Sequence, residues 1–121
     1  MDSLELAQVC AGIAIDKKCE DLLILDVQQR TVIADYFVIA SARNRRQLRA
    51  VAEGIAKDAA VTGRKTRRVE GTGGDRWVLL DLGDVVVHLF DGEGRTYYDL
   101  ESLWADAPRV ALRRRPARTA S

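Results

Sequence analysis

No stretch of this chain approaches the ~18 consecutive apolar residues that a membrane-crossing helix needs, so no spanning segment is expected. Cysteine is scarce. Cys10 and Cys19 are the only two, nine residues apart, with no CxxC and no cluster of partners. A disulfide framework or thiolate metal site has nothing to build on, and two reduced thiols in the cytoplasm are the expectation. There is one histidine, His88, set inside an apolar run. A catalytic triad or histidine-rich metal site needs partners at fixed geometry. None is visible, so His88 reads as a satisfied core or strand-face residue. No nucleophile has a base beside it. The loop Gly71-Thr72-Gly73-Gly74 resembles a phosphate cradle in composition only, because it lacks the Walker lysine and a strand follows it. The opening Met1-Asp2-Ser3-Leu4-Glu5 carries acids where an export signal would carry bases, which points to a cytoplasmic protein.

What is present fits a folded domain. A chain of 121 residues, 47% apolar and 31% charged, has the length and composition of one globular domain with at most short tails. The net charge of +1 hides a strong separation. Residues 43–68 hold nine Lys or Arg against Glu53 and Asp58, and residues 81–106 hold seven acids against Arg95 alone. The segment 109–121 holds five Arg and no acid. Separated charge favours oriented docking on a charged partner. Solvated faces placed for solubility are the plainer alternative for any one patch.

Apolar spacing gives the elements. Leu4, Leu6, Ala7, Cys10, Ala11, Ile13 and Ala14 recur at three and four, which predicts a helix capped by Ser3 and ending near Lys17-Lys18. Leu22–Val27 and Tyr36–Ala40 read as buried strands. Leu48, Val51, Ala52, Ile55, Ala56 and Ala59 form one clean stripe of a long helix, with Asn44 and Gln47 as a capping box, Ser41 as an earlier candidate cap and Gly63 as the stop. Arg45, Arg46 and Arg49 stand in its first turns, where the helix dipole disfavours cations by some tenths of ~1 kcal/mol each. Thr66–Glu70 reads as a short third strand. Trp77–Leu80 and Val85–Phe90, separated by Asp81-Leu82-Gly83-Asp84, read as an antiparallel hairpin. Asp91-Gly92-Glu93-Gly94 reads as a turn, and Leu100, Leu103 and Trp104 as a short helix ended by Pro108.

The fold class is therefore α/β: a single domain over 1–108 with a mixed five-stranded sheet and helices packed on it, followed by a basic disordered tail over 109–121. Strands two and three can run parallel through a right-handed crossover along the long helix.

The hairpin and the segment after it draw most interest. Trp77, Tyr97, Tyr98 and Trp104 are four of the seven aromatics, and they lie among Asp91, Glu93, Asp99 and Glu101. Trp and Tyr dominate binding hot spots. Trp104 lies on an apolar helical stripe and reads as core, whereas Trp77 and Tyr98 suit either surface or core. Asp81 and Asp84 invite a metal, but paired metal carboxylates commonly sit at i and i+2 on one strand face. The spacing here is i, i+3 across a turn, where acids commonly bond their own backbone. No enzyme, cofactor or metal is expected.

The residues Asp35-Tyr36-Phe37-Val38-Ile39-Ala40-Ser41, Arg46-Gln47-Leu48-Arg49-Ala50 and Glu70-Gly71 recur in a known pattern. So do Trp77 through His88, Tyr98-Asp99-Leu100-Glu101 and Leu103-Trp104. In order and spacing the chain resembles the ribosomal silencing factor RsfS, or Iojap-like, family over about residues 5–105. The resemblance implies a degenerate nucleotidyltransferase-like fold without catalysis or cofactor. It implies binding to the large ribosomal subunit through ribosomal protein L-fourteen, on the face where the small subunit docks. Subunit joining would be blocked and translation lowered when nutrients are short. It also implies a homodimer when free. Under this reading Trp77 and Tyr98 are apolar anchors, while Leu82 at the hairpin tip and Asp81, Asp84 and Asp99 face basic residues of the partner. Two rivals stay open. One is an RNA-binding module using the arginine-rich helix start and tail, with the tail also able to touch ribosomal RNA. The other is an active nucleotidyltransferase that depends on Asp81 and Asp84.

Overall fold

The chain's structure is a computed structural model that describes residues 2–61, 68–70 and 76–113. The expected helix stop at Gly63, the loop at Gly71–Asp75 and the arginines past 113 lie outside the described residues. The first helix, α1 (Ser3–Asp16), leads into β1 (Glu20–Asp26) and β2 (Tyr36–Ala42). Next come α2 (Arg45–Val61), β3 (Arg68–Glu70), β4 (Trp77–Asp81) and β5 (Val85–Asp91). Two short helices, α3 (Gly92–Tyr98) and α4 (Leu100–Leu103), precede β6 (Arg109–Val110).

The strands form one mixed sheet in the order β3-β4-β5-β2-β1-β6. β2 and β5 lie side by side at its centre, parallel and in register from Tyr36 opposite Val85 to Ala42 opposite Asp91. All other pairs are antiparallel. β3 does run the same way as β2, but with two strands between them. The α2 crossover lands on the sheet edge, and the β4–β5 hairpin fills the gap. The five expected strands are thus present, and β6 adds a two-residue edge.

That edge moves the boundary drawn at Pro108. Arg109 and Val110 pair with Leu25 and Ile24, and Gln8 on α1 holds the chain beyond them. Its Nε2 donates to the Ala111 carbonyl at 2.8 Å, and its Oε1 accepts from the Arg113 amide at 2.9 Å. The start of the expected tail is therefore fastened to the body.

Period-2 alternation gives the sheet two cores. On one face Val38, Ala40, Val78, Leu80, Val87 and Leu89 pack beneath the apolar stripes of α1 and α2. On the other, Leu25, Phe37, Ile39, Val86 and Phe90 pack with Leu100 and Ala107, flanked by Trp77, Leu79 and Trp104. The central strand β2 is buried along its whole length, as expected of a strand covered on both faces.

Local chemistry fixes the helix ends. Asp2, not Ser3, caps α1, its Oδ1 accepting from the Glu5 amide at 2.8 Å. Ser3 instead donates to Asp35 Oδ2 at 2.8 Å, tying α1 to the start of β2. Asn44 Oδ1 accepts from the Gln47 amide at 2.9 Å, as the capping box requires. The return bond from Gln47 reaches one residue further back, to the Arg43 amide at 2.6 Å.

Candidate functional site

Glycine hides the element that builds the site. Gly92 and Gly94 suggest a turn, yet residues 92–98 form α3. Asp91 caps it, with Oδ1 accepting from the Gly94 amide at 2.6 Å. Gly94 is needed because a Cβ there would overlap the Arg76 carbonyl and side chain. Asp99 closes α3 in the left-handed region, with φ 46° and ψ 47°, and α4 starts directly after it. Its Oδ2 also accepts from Ser102 Oγ at 2.7 Å. A kinked pair of short helices thus lies along the second face of the sheet.

Arg95 fastens this pair down. Its Nε and Nη2 meet the two oxygens of Glu101 at 2.9 and 3.3 Å. Its Nη1 donates to Ser41 Oγ at 2.9 Å and to the Asp21 carbonyl at 2.6 Å. A planar guanidinium held by four acceptors is a rigid clamp. Glu101 is accordingly engaged within the fold, and its charge is balanced there.

The clamp presents an aromatic ladder that runs from core to solvent. Phe37 meets Trp104 edge-on, with ring centroids 5.0 Å apart, and His88 at 4.8 Å. Trp77 stacks on Phe90 at 5.5 Å and touches Tyr98 at 4.8 Å. Tyr97 stands edge-on to Tyr98 at 5.0 Å. Exposure rises outward: Trp77 is half-buried, Tyr98 is 42% exposed and Tyr97 is 77% exposed. Leu103 on α4, at 76%, adds an exposed apolar side chain. Glu93, Asp99 and Asp106 are exposed acids of the same segment.

His88 sits beneath Trp77. Its Nδ1 accepts from Trp77 Nε1–H at 3.2 Å, and its Nε2 has no partner among the described residues. The histidine expected to be satisfied is therefore half satisfied. Burial disfavours the imidazolium and pulls its pKa down to about 4.

The sequence-derived contact residues divide into two groups. Trp77, Tyr98 and Asp99 share one end of the second face. Asp81 points to that same face, but four residues further along β4, about 13 Å away at ~3.3 Å per residue. Its Oδ1 accepts from the Gly83 amide at 2.9 Å, as a turn acid does. Asp84 is exposed in the turn, and its carbonyl accepts from the amides of Asp35 and Tyr36. Leu82 requires correction. It is 2% exposed and belongs to the core under α1 and α2. Alternation along β4 carries Val78, Leu80 and Leu82 to that face, so Leu82 cannot touch a partner at the hairpin tip. Tyr97, Leu103 and Arg95 were not among the contact residues expected from the sequence. Tyr97 was visible as the neighbour of Tyr98, but only α3 shows that it points outward.

No group of three or more His, Cys, Asp or Glu among the described residues is placed to hold a metal ion. No helix among them is long and apolar enough to cross a membrane. What the fold and this face define is a mixed α/β domain of the surface-presenting class.

The comparisons make the assignment particular. The family described as "Ribosomal silencing factor during starvation" matches residues 1–121. A Bacillus subtilis protein named Ribosomal silencing factor RsfS is 42% identical over 112 residues, 93% of this chain and 95% of that protein. A crystal structure from Bacillus halodurans covers 91% of this chain and 100% of its own, with TM-score 0.80 and 39% identity. Another, from Chromobacterium violaceum, covers 100% of both chains with TM-score 0.84 and 29% identity. The chain belongs to the ribosomal silencing factor family.

Proposed function

We propose that this chain binds the large ribosomal subunit through ribosomal protein L-fourteen and sterically blocks subunit joining, lowering translation under nutrient limitation. The observation that carries the reading is the exposed aromatic ladder, Tyr97 and Tyr98 on Trp77, clamped by Arg95 and edged by acids. Rigid aromatics give contact area at little entropic cost, which suits an anchor. Asp99, with Asp81 and Asp84 further along, supplies negative charge toward a basic partner. Charge sets orientation and on-rate, while the aromatics set residence time. The mechanism is occupancy and involves no catalytic step. The free protein self-associates through a surface that overlaps this one, in the cytoplasm.

The test is direct binding to purified L-fourteen by calorimetry, with wild type beside Tyr97→Ala/Tyr98→Ala. Both side chains are exposed, so the variant keeps its cores. A central aromatic hot spot is worth about 2 kcal/mol or more, so affinity should fall at least ~30-fold. Equal affinity of the folded variant removes the ladder from the interface. No binding by wild type rejects this partner.

A further inference from the structure

The docking reading leaves the opposite layer of the molecule unused. There α2 opens with Arg45 and Arg46 and has no acid in its first turn. Arg45, Arg46 and Arg49 are exposed, and Arg43 just before them is exposed too. None of these guanidinium groups makes an ion pair or hydrogen bond to another described residue. Arg45 and Arg49 stand at i and i+4, Arg46 and Arg49 at i and i+3, so their side chains share one face. They line a shallow groove of about 340 Å³ with Ala50 and Glu53.

The end of α1 is tied to another flank of the same helix. Gln47 Nε2 donates to the Lys17 carbonyl at 2.8 Å, which holds the end of α1 against the start of α2. The Lys17 side chain then lies across α2 at Gly54, where a Cβ would come within 2.6 Å of Lys17 Cε. Absence of a side chain at Gly54 is what leaves room for the Lys17 stem on that flank of α2.

We propose that Arg45, Arg46 and Arg49, flanked by Arg43, form a second contact surface that binds the phosphate backbone of RNA. The chemistry selects this partner. Unpaired guanidinium groups match phosphate oxygens in geometry and charge. Among the described residues, no aromatic ring on which a base could stack lines the groove. Nor do the described residues give it an apolar anchor of the kind that centres a protein interface. What it offers is therefore backbone contact without base readout. The surface lies on the layer away from Trp77 and Tyr98, so both can be engaged together. This inference does not depend on the identity of the protein bound at the aromatic face.

The test is fluorescence anisotropy of a labelled RNA hairpin with the full chain over a salt series, away from any ribosome. Wild type should bind with a steep salt dependence. Arg45→Gln/Arg46→Gln/Arg49→Gln should bind more weakly at low salt, with the log–log slope smaller by about 3, roughly one per lost phosphate contact. The matching triple Lys variant should keep a slope close to wild type, which separates charge from altered folding. Residues 114–121 are present in every chain, so their arginines cancel in the comparison. An unchanged slope in the Gln variant overturns the proposal. So does a wild type that fails to bind RNA at low salt. A polyglutamate of matched charge that competes as well as RNA also overturns it, and assigns the surface to an acidic protein.

Discussion

His88→Leu should make the protein more resistant to acid while leaving it nearly as stable at neutral pH. His88 is 4% exposed, and burial holds its pKa at about 4 against an ordinary value of 6.5. Between these values the unfolded chain binds the proton and the folded one does not, so folding stability rises with pH. The contribution is fully present above about pH 6.5 and is lost as pH falls toward about 4. A span from 6.5 to about 4 is worth about 3 kcal/mol in full, at ~1.4 kcal/mol per pH unit. At pH 4.5 most of it is already gone, a large share of the ~5–15 kcal/mol a domain usually has. The substitution removes the bond from Trp77 Nε1, worth ~0.5–1.5 kcal/mol. It also removes the unpartnered Nε2, which offsets part of that loss. Urea unfolding at pH 7 should place the variant within about 1 kcal/mol of wild type. At pH 4.5 the variant should be the more stable chain by roughly 1–2 kcal/mol. Cys10, Cys19 and Tyr36 are all shifted upward, so their titration falls on the alkaline side and cannot mimic this crossing. If both chains lose stability in parallel from pH 7 to 4.5, His88 is not held neutral by burial and the reasoning fails.

Three further outcomes follow from particular contacts. Gly94→Ala should destabilise the fold by about 1–3 kcal/mol, because the added methyl overlaps the Arg76 backbone; the urea midpoint reads this, and an unchanged midpoint contradicts the tight α3–β4 approach. Asn44→Ala should cost about 1 kcal/mol by losing the α2 cap, with no change in the slope of the unfolding curve. Cys19, pushed up to about 11 by burial and then by Glu20, should react with a disulfide reagent at pH 8 about two orders of magnitude more slowly in the folded chain than in urea, and Cys10, pushed up to about 12, more slowly still.

Legibility in the sequence followed the range of the interactions. The stripe Leu48, Val51, Ala52 and Ile55 announced α2, because one helix face records its own burial. Asn44 and Gln47 marked its start for a similarly local reason. The hairpin was legible because Gly83, at φ 93°, and its acidic neighbours break two apolar runs. The central pairing of β2 with β5 was not, since no local pattern states which strand a crossover skips. α3 stayed hidden because Gly92 and Gly94 weaken a seven-residue helix that Asp91 and the Arg95 clamp sustain. β6 is two residues long and exists through β1 and Gln8. At the candidate site, residue type pointed to Trp77, Tyr98 and Asp99, and the fold gathers these at one end. Direction was harder. Leu82 looked like a turn tip, although extending the alternation of Val78 and Leu80 by one step assigns it to the core. Tyr97 is exposed through the pitch of a helix that the glycines concealed.

The central claim is that occupancy of the large subunit prevents joining. The direct measurement is light scattering as small subunits are added to large subunits preincubated with this chain. The account predicts that whole-ribosome formation falls in step with occupancy and is restored when Tyr97→Ala/Tyr98→Ala replaces wild type. Undiminished joining at saturating, bound protein would contradict it.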